Sequence, residues 1–519
     1  MSFRLSLLSF ILPLLLSACA TAPRYQPPAV STPAAWQQAV PADTAGSRVP
    51  AVRETRAAVS TPSFGGPTPS AQPNAARMAA ADSGAARGLK PQLLAPPPPE
   101  TPWWTVFNDP VLAQLEEQVL NQNFSAQAAL ARVDQARARL QVADSYRSPD
   151  VTLNPGAYRT QLSALRPVPF DVPARPVVQT QYFLPLNVSY EVDVWGRIRR
   201  TVLAARADAE AASADVQAVR LSLTADAATY YFNLRGLDAE LAVLDSARLV
   251  RVQNVQLTRA RFEAGVDNEI GWRRAETELA NVEGSLLELR RQRAGQAAAL
   301  ATVVGQPASS FALPALPDPA LSAAPAVPLA LPTALLGRRP DLRRAERQLA
   351  AADARAEAAH LTRRPAVQLN GFIGPQSATL AKLAQISNGY TYYLGGGVAI
   401  PLFNGGRLRA NEQLAQAQYR ELEAQYRGAA LTAFEDVETA LANLRLSAAQ
   451  LAAQQRALRA ARRAGRLTEV RYRSGLTNYF EVVDADRQTL DAARLLAQTQ
   501  AAQLRYAVLL VRALGGSWQ

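Results

Sequence analysis

The chain holds a single cysteine, Cys19, and a single histidine, His360, in 519 residues. Neither a disulfide framework nor a His/Cys metal cluster can be assembled from so little. A phosphate-binding glycine loop and a nucleophile–base pair are also missing, so no enzyme chemistry, no nucleotide-driven step and no cofactor is expected. Acidic side chains are outnumbered, 43 against 55 Lys and Arg, for a formal charge of +12. The basic residues are scattered along helical segments without interleaved aromatics, which describes solvated helix faces and excludes a nucleic-acid surface.

Long apolar runs are equally scarce. The one at the start, Leu5–Leu16 behind Arg4, is too short to stay across a bilayer, and residues 1–18 read as a secretory signal. Leu16-Ser17-Ala18-Cys19 has the form of a bacterial lipobox, with Cys19 as the acylated first residue of the mature chain. The alternative is an incidental cysteine. Several acyl chains on one residue would anchor stably, since each buried CH₂ contributes about 0.8 kcal/mol. Ala20, not Asp, follows, as in enterobacterial lipoproteins sorted to the outer membrane. From there to residue 100 the composition is Pro, Ala, Ser, Thr and Gly, too little apolar surface to offset ordering entropy. Residues 19–100 are therefore expected to be a lipidated N-terminus and tether, with order starting at Trp103-Trp104.

What the chain does have is a repeat. Arg261-x-x-x-Gly265, Asn268, Ala275 and Gly305 return 210 positions later as Arg471-x-x-x-Gly475, Asn478, Ala485 and Gly515. Pro149-x-Val151-x-Leu153-Asn154 returns as Pro365-x-Val367-x-Leu369-Asn370, 216 positions on, so the first copy carries a longer loop. Two structural repeats follow, 101–310 and 311–519.

Each copy contains two stretches that alternate. Between 182 and 194 the even positions are Tyr182, Leu184, Leu186, Val188, Tyr190, Val192 and Val194, while Asn187, Ser189, Glu191 and Asp193 are odd. Tyr390–Leu402 repeats the pattern more loosely. Strands near 149–165, 177–194, 365–376 and 389–402 fit a membrane barrel, lipid outside and water inside, or else a sheet half-buried in a soluble domain. Four strands cannot close a barrel and open edges are not tolerated in lipid, so the barrel reading requires oligomers; three chains would supply twelve strands. Between Gly196 and Gly265, and again between Gly406 and Gly475, the pattern is helical for long enough to make a rod of roughly 100 Å. Phe434, Val437, Leu441, Leu444, Ala448, Leu451, Gln455 and Leu458 give one of these a 3,4 seam. A single helix is expected from 110 to 148, and Arg197, Arg199 and Arg200 stand where lipid headgroups are within reach.

These features resemble the TolC-like outer-membrane efflux family, in particular the lipoproteins that serve resistance-nodulation-division transporters. The resemblance covers residues 100–519. It is carried by Leu331-Pro332, Leu335-Leu336-x-Arg338-Arg339-Pro340-Asp341-Leu342-x-x-Ala345-Glu346, Trp195-Gly196-Arg197, Pro401-Leu402-Phe403-x-Gly405-Gly406-Arg407, and the turns at Gly265 and Gly475. It implies an α+β membrane protein: a homotrimer with a 12-stranded β-barrel, four strands per chain, continued by a long α-helical barrel in the periplasm. The implied partners are a periplasmic membrane-fusion adaptor, an inner-membrane transporter and outer-membrane lipid, and the implied role is a passive exit duct for small molecules. A periplasmic adaptor-like lipoprotein and a duct for protein secretion are the rival readings.

The resemblance also places a periplasmic gate at the second turn, where Tyr472 opens the segment and Glu481 and Asp484 share a helix face. In a trimer they would supply a ring of six carboxylates, or else they only complement a helix N-terminus. The first turn has Gly271 where the family has an acid, followed by Trp272, Arg273 and Arg274, and Arg273 or Arg274 is expected to pair with Glu481 or Asp484. The extra length before Trp103 departs from the family: either the barrel sits further from its anchor or the segment touches something else.

Overall fold

The computed structural model describes residues 25–30, 32–33, 36, 102–164, 176–315, 321–327, 332–384 and 389–516. Cys19 and most of the Pro/Ala-rich stretch lie outside them. The described chain runs α1 (Pro110–Gln122), α2 (Phe124–Ser145), β1 (Asp150–Leu153), β2 (Gly156–Leu162), β3 (Val177–Phe183), β4 (Leu186–Val192), α3 (Arg197–Glu263) and α4 (Glu269–Val304). The second copy follows as α5 (Pro332–Arg338), α6 (Pro340–Leu361), β5 (Ala366–Ser377), β6 (Tyr390–Ala399), α7 (Arg407–Arg473) and α8 (Tyr479–Ala513). The α3 and α7 rods are unbroken and of equal length, 67 residues each.

The helix expected over 110–148 is two helices, because Asn123 leaves helical geometry between them. Its side-chain oxygen accepts from Ser125 N and Ala126 N, starting α2 as an N-cap. Its Nδ2 donates to Val303 O at 2.7 Å, satisfying one of the last carbonyls of α4. One residue thus caps two helix ends. Just before α1, a 3-10 turn buries Trp103, Trp104 and Phe107 against Leu112, Phe232, Leu300 and Val508. The Trp103 indole N–H donates to Thr224 at 3.2 Å.

Contacts with the body begin well before Trp103. The Tyr25 hydroxyl donates to the Glu346 carbonyl on α6 at 3.5 Å, and Trp36 is buried with its ring 6.2 Å from that of Phe434 on α7. The tether expected over 19–100 therefore touches the fold near its start. Two aromatic side chains anchor there, and the compositional average over eighty residues conceals them.

Two of the four expected strands are broken. Pro155 falls between β1 and β2 and Pro185 between β3 and β4, and proline lacks the N–H a ladder needs. Asn154 N donates to Pro185 O at 3.2 Å, so the pairing continues across the breaks. Counting each broken pair once, the sheet order is β1/β2, β3/β4, β5, β6, antiparallel throughout.

Register decides what this sheet faces. Residues opposite one another share a face. One face carries the rows Val151-Val188-Gly371-Leu394, Leu153-Leu186-Ile373-Tyr392, Tyr190-Leu369-Gly396 and Val192-Val367-Val398. The other carries Asp150-Ser189-Asn370-Gly395, Thr152-Asn187-Phe372-Tyr393 and Glu191-Gln368-Gly397. The first is apolar in every row, yet Val151, Leu153, Ile373, Tyr392, Leu394 and Val398 are all exposed in the single chain. An apolar face left open across every strand is a lipid-facing surface. The alternation fades in the β2–β3 hairpin, where Arg159-Thr180 and Thr160-Gln179 put polar groups on both faces.

The helices pack in one order throughout. Near the sheet it is α2, α3, α6, α7; farther away it is α4, α3, α8, α7. One flank is therefore β1/β2 with α2 and α4, the other β6 with α7. Both flanks expose large apolar side chains: Val142 and Leu287 on one, Leu414, Leu431, Leu446 and Leu467 on the other. The α7 seam holds at Phe434, Val437, Leu441 and Leu458, but Ser447 is buried where Ala448 was expected, and Gln455 is exposed. An α-helix drifts against a strict 3.5-residue repeat, and that drift moves the buried stripe.

One core residue is out of character. Glu116 on α1 is 0% exposed and neither carboxylate oxygen has a hydrogen-bond partner among the described residues. Burial pushes its pKa well above the usual value, favouring the neutral form in the folded chain. The unfolded chain ionises near pH 4.3, so this group destabilises the fold as pH rises from there through its folded pKa. Glu116→Gln is expected to raise the melting temperature at pH 7, with the gain vanishing below about pH 3.5, where both states bind the proton. A pH-independent gain in thermal unfolding would show that packing, not protonation, is responsible.

Candidate functional site

The two ends farthest from the sheet are built alike. After α3, Gly265 N donates to Phe262 O at 2.9 Å and Val266 N to Arg261 O at 3.0 Å. After α7, Gly475 N donates to Tyr472 O at 3.0 Å and Leu476 N to Arg471 O at 2.8 Å. Both are Schellman stops, which need a left-handed residue, and both glycines have φ of +70°. Asn268 and Asn478 then cap the return helices, each accepting at 3.3 Å, from Gly271 N and Glu481 N. The equivalent side chains Val266 and Leu476, and Ile270 and Phe480, are left exposed at the two tips.

Between the tips lies a small apolar cluster of Ala275, Tyr472, Tyr479, Val482 and Val483. Tyr472 and Tyr479 rings are 5.6 Å apart, and the Arg261 guanidinium of the first tip lies 5.1 Å from the Tyr472 centroid. Neither phenol has a hydrogen-bond partner among the described residues. Burial raises both pKa values, Tyr479 to about 12. These hydroxyls stay protonated across the physiological range and serve packing.

Glu481 and Asp484 are both exposed in the first turns of α8, where a carboxylate also complements the helix N-terminus. Asp484 Oδ2 accepts from Gln488 Nε2 at 2.8 Å. The pairing expected with Arg273 or Arg274 is not formed within the chain. Arg273 is held by its own helix, donating to Glu269 and Glu276 at 3.0 Å each, with its guanidinium 4.0 Å from the Trp272 ring centroid. Arg274 lies over Phe480, 5.4 Å from the centroid. Neighbours three and four residues away capture Arg273 before a residue on another hairpin can.

The bonds that do join the hairpins are elsewhere. Arg251 on α3 is 3% exposed and donates to Asp486 on α8 at 2.8 Å. Burial raises the Asp486 pKa against the opposing pull of Arg251. Arg487 grips Glu278 on α4 through two nitrogens, and Arg494 Nε donates to Glu240 on α3 at 2.8 Å with Gln498 adding two bonds at 3.1 Å. Val482, Val483, Asp486 and Leu490 in sequence offered the clue, since 3,4 spacing sets an acid on an apolar seam. Arg197 and Arg199, expected within reach of headgroups, are paired with Glu191 at 2.7 Å and Asp193 at 3.2 Å. His360 and Arg363 both bind Glu412, tying α6 to α7 and lowering the Glu412 pKa.

The family model described as "Outer membrane efflux protein" matches residues 115–306 and again 331–516, one match per repeat. The pyoverdine export outer membrane protein OpmQ of Pseudomonas putida is 33% identical over 432 residues, covering 81% of this chain and 89% of the relative. The solvent efflux pump outer membrane protein SrpC of Pseudomonas putida is 30% identical over 412 residues, covering 79% and 86%. Among solved structures, the outer-membrane channel OprN superposes with a TM-score of 0.74 at 32% identity, covering 81% of this chain and 93% of that one. VceC of Vibrio cholerae gives 0.73 at 29% identity, covering 81% and 100%. With its doubled hairpins, its apolar sheet face and both repeats matched, the chain belongs to the outer membrane efflux protein family.

Proposed function

We propose that three copies of this chain close into an outer-membrane exit duct, which passes small molecules from an inner-membrane transporter to the exterior. The observation that carries this is the apolar sheet face, which runs across all four strands and stops at two unpaired edges. Unpaired edges cost several kcal/mol per unsatisfied group in lipid. Pairing β6 of one copy with β1/β2 of the next removes them, and the same rotation sets α7 against α2 and α4. Twelve strands and a continuous helical wall result.

The duct has no energy source of its own, so it works with a resistance-nodulation-division transporter and a periplasmic adaptor. The adaptor would dock on the paired apolar side chains Val266 with Ile270 and Leu476 with Phe480, which repeat around the periplasmic rim. Cys19 carries the lipid. Glu481 and Asp484 ring the closed tip and favour cations there, with Tyr472 in the packing between tips, while Arg273 and Arg274 stiffen the first tip.

Protein that incorporates labelled fatty acid only when Cys19 is present is expected to purify as a trimer and to conduct ions across planar bilayers. A stable monomer without conductance would overturn the duct. In the same recordings Glu481→Gln/Asp484→Asn is expected to lower the cation preference severalfold. An unmoved reversal potential would leave the two carboxylates as helix-end residues alone.

A further inference from the structure

Beneath the sheet, the floor of an open groove of about 620 Å³ is formed by α3, with walls from α2 and α6. Four arginines line it, Arg132 and Arg139 from α2 and Arg344 and Arg355 from α6, against two acids, Asp208 and Asp215 on α3. Arg344 donates to Asp215 at 2.8 Å, Arg132 lies 4.0 Å from the same carboxylate, and Arg355 pairs with Asp208. Arg139 makes no ion pair among the described residues. The cluster is thus left with two uncompensated positive charges per chain.

Two observations say which side of the wall it faces. Arg197 binds Glu191, which register places on the polar face of the sheet with Gln368 and Gly397. Asp208 and Asp215 lie 11 and 18 residues after Arg197 on the same helix, about three and five whole turns, and so share its face. The groove therefore opens on the side continuous with the barrel interior. On the opposite side, Arg347 donates to Glu210 at 3.1 Å and Tyr25 reaches Glu346. That is the side from which a lipid-anchored N-terminus must arrive.

From this geometry we propose that the duct carries an arginine collar just below the barrel, which attracts anionic solutes such as carboxylates and phosphate or sulfonate esters on their way out. The inference rests on the duct reading. In the trimer twelve arginines would surround one axis with six acids, and charge of one sign within low-dielectric walls raises the local concentration of the opposite sign. A carboxylate ring at the tip and an arginine collar beneath the barrel would then act in series, the first screening what enters and the second drawing anions toward the exit.

Gln348, also in the lining, allows a local test. In Gln348→Cys protein, anionic and cationic methanethiosulfonates of similar size are added from the barrel side, and protein without the substitution supplies the background. The anionic reagent is expected to react on the order of threefold or more faster, the ratio falling toward parity in Arg132→Gln/Arg139→Gln and rising in Asp215→Asn. Equal rates in the parent, or a ratio indifferent to these charges, would overturn the collar. Ion conductance of the same preparation checks the duct separately. A protein that conducts but shows equal rates keeps its duct and loses the collar.

Discussion

Arginine at Val188 and at Leu394 is expected to block insertion of the protein into the outer membrane, whereas arginine at Asn187 is tolerated. Val188 and Leu394 flank Gly371 in one row of the apolar face, and Asn187 is the next residue on the polar face. Each lipid-facing arginine near the bilayer midplane costs about 2–4 kcal/mol, and a trimer repeats each one three times. Membrane fractionation and protease protection of the three variants would distinguish the faces. Equal insertion of all three would mean that the sheet is not bounded by lipid, and the barrel assignment would fall with it.

A second large effect is expected at Asp238. Its Oδ1 accepts from Arg293 Nε at 2.6 Å and its Oδ2 from Arg235 Nη1 at 3.3 Å. The two guanidiniums go on to bind the Leu313 and Pro314 carbonyls at 2.8 and 2.9 Å, fastening the inter-repeat segment to α3 and α4. Arg235 is 4% exposed. Asp238→Ala leaves that cation buried without its counter-ion, a loss of about 3–5 kcal/mol per chain. The melting transition of the detergent-solubilised trimer should fall sharply, while Arg291→Ala, which breaks only the exposed pair with Glu288, should leave it in place. A shift no larger than that of Arg291→Ala would mean that Arg235 finds water or another acceptor.

The features legible in the sequence are those that depend on local periodicity. Alternation at Leu186, Val188, Tyr190 and Val192 sets the strand and its lipid face, and the paired Gly265/Asn268 and Gly475/Asn478 set the two hairpin ends. The proline breaks at Pro155 and Pro185 were visible as residues, but whether a strand ends at a proline or continues beyond it depends on its neighbour's hydrogen bonds. Asn123 splits a helix because the end of α4 arrives beside it, 180 residues later in the chain. The same holds for Arg251–Asp486 and Arg487–Glu278, which follow from the mutual register of three helices. Arg273 and Arg274 carry the charge that would suit the tip acids, but Glu269 and Glu276 lie within reach of Arg273 on its own helix, and the ring of Phe480 lies beside Arg274.

The anchoring of Tyr25 changes what the long N-terminal region can do. Five residues separate Cys19 from Tyr25, a leash of at most about 20 Å when fully extended. Glu346, where Tyr25 is held, is fifteen residues from the sheet-side end of α6, or about 22 Å along the helix. An acyl group on Cys19 would therefore reach the bilayer only by running almost straight up the wall of its own protomer. On the lipoprotein reading, the length of that leash would limit how far the anchor can stand from the fold. The stretch between Trp36 and Trp103, with both ends already held, can lengthen or shorten through evolution without moving the barrel.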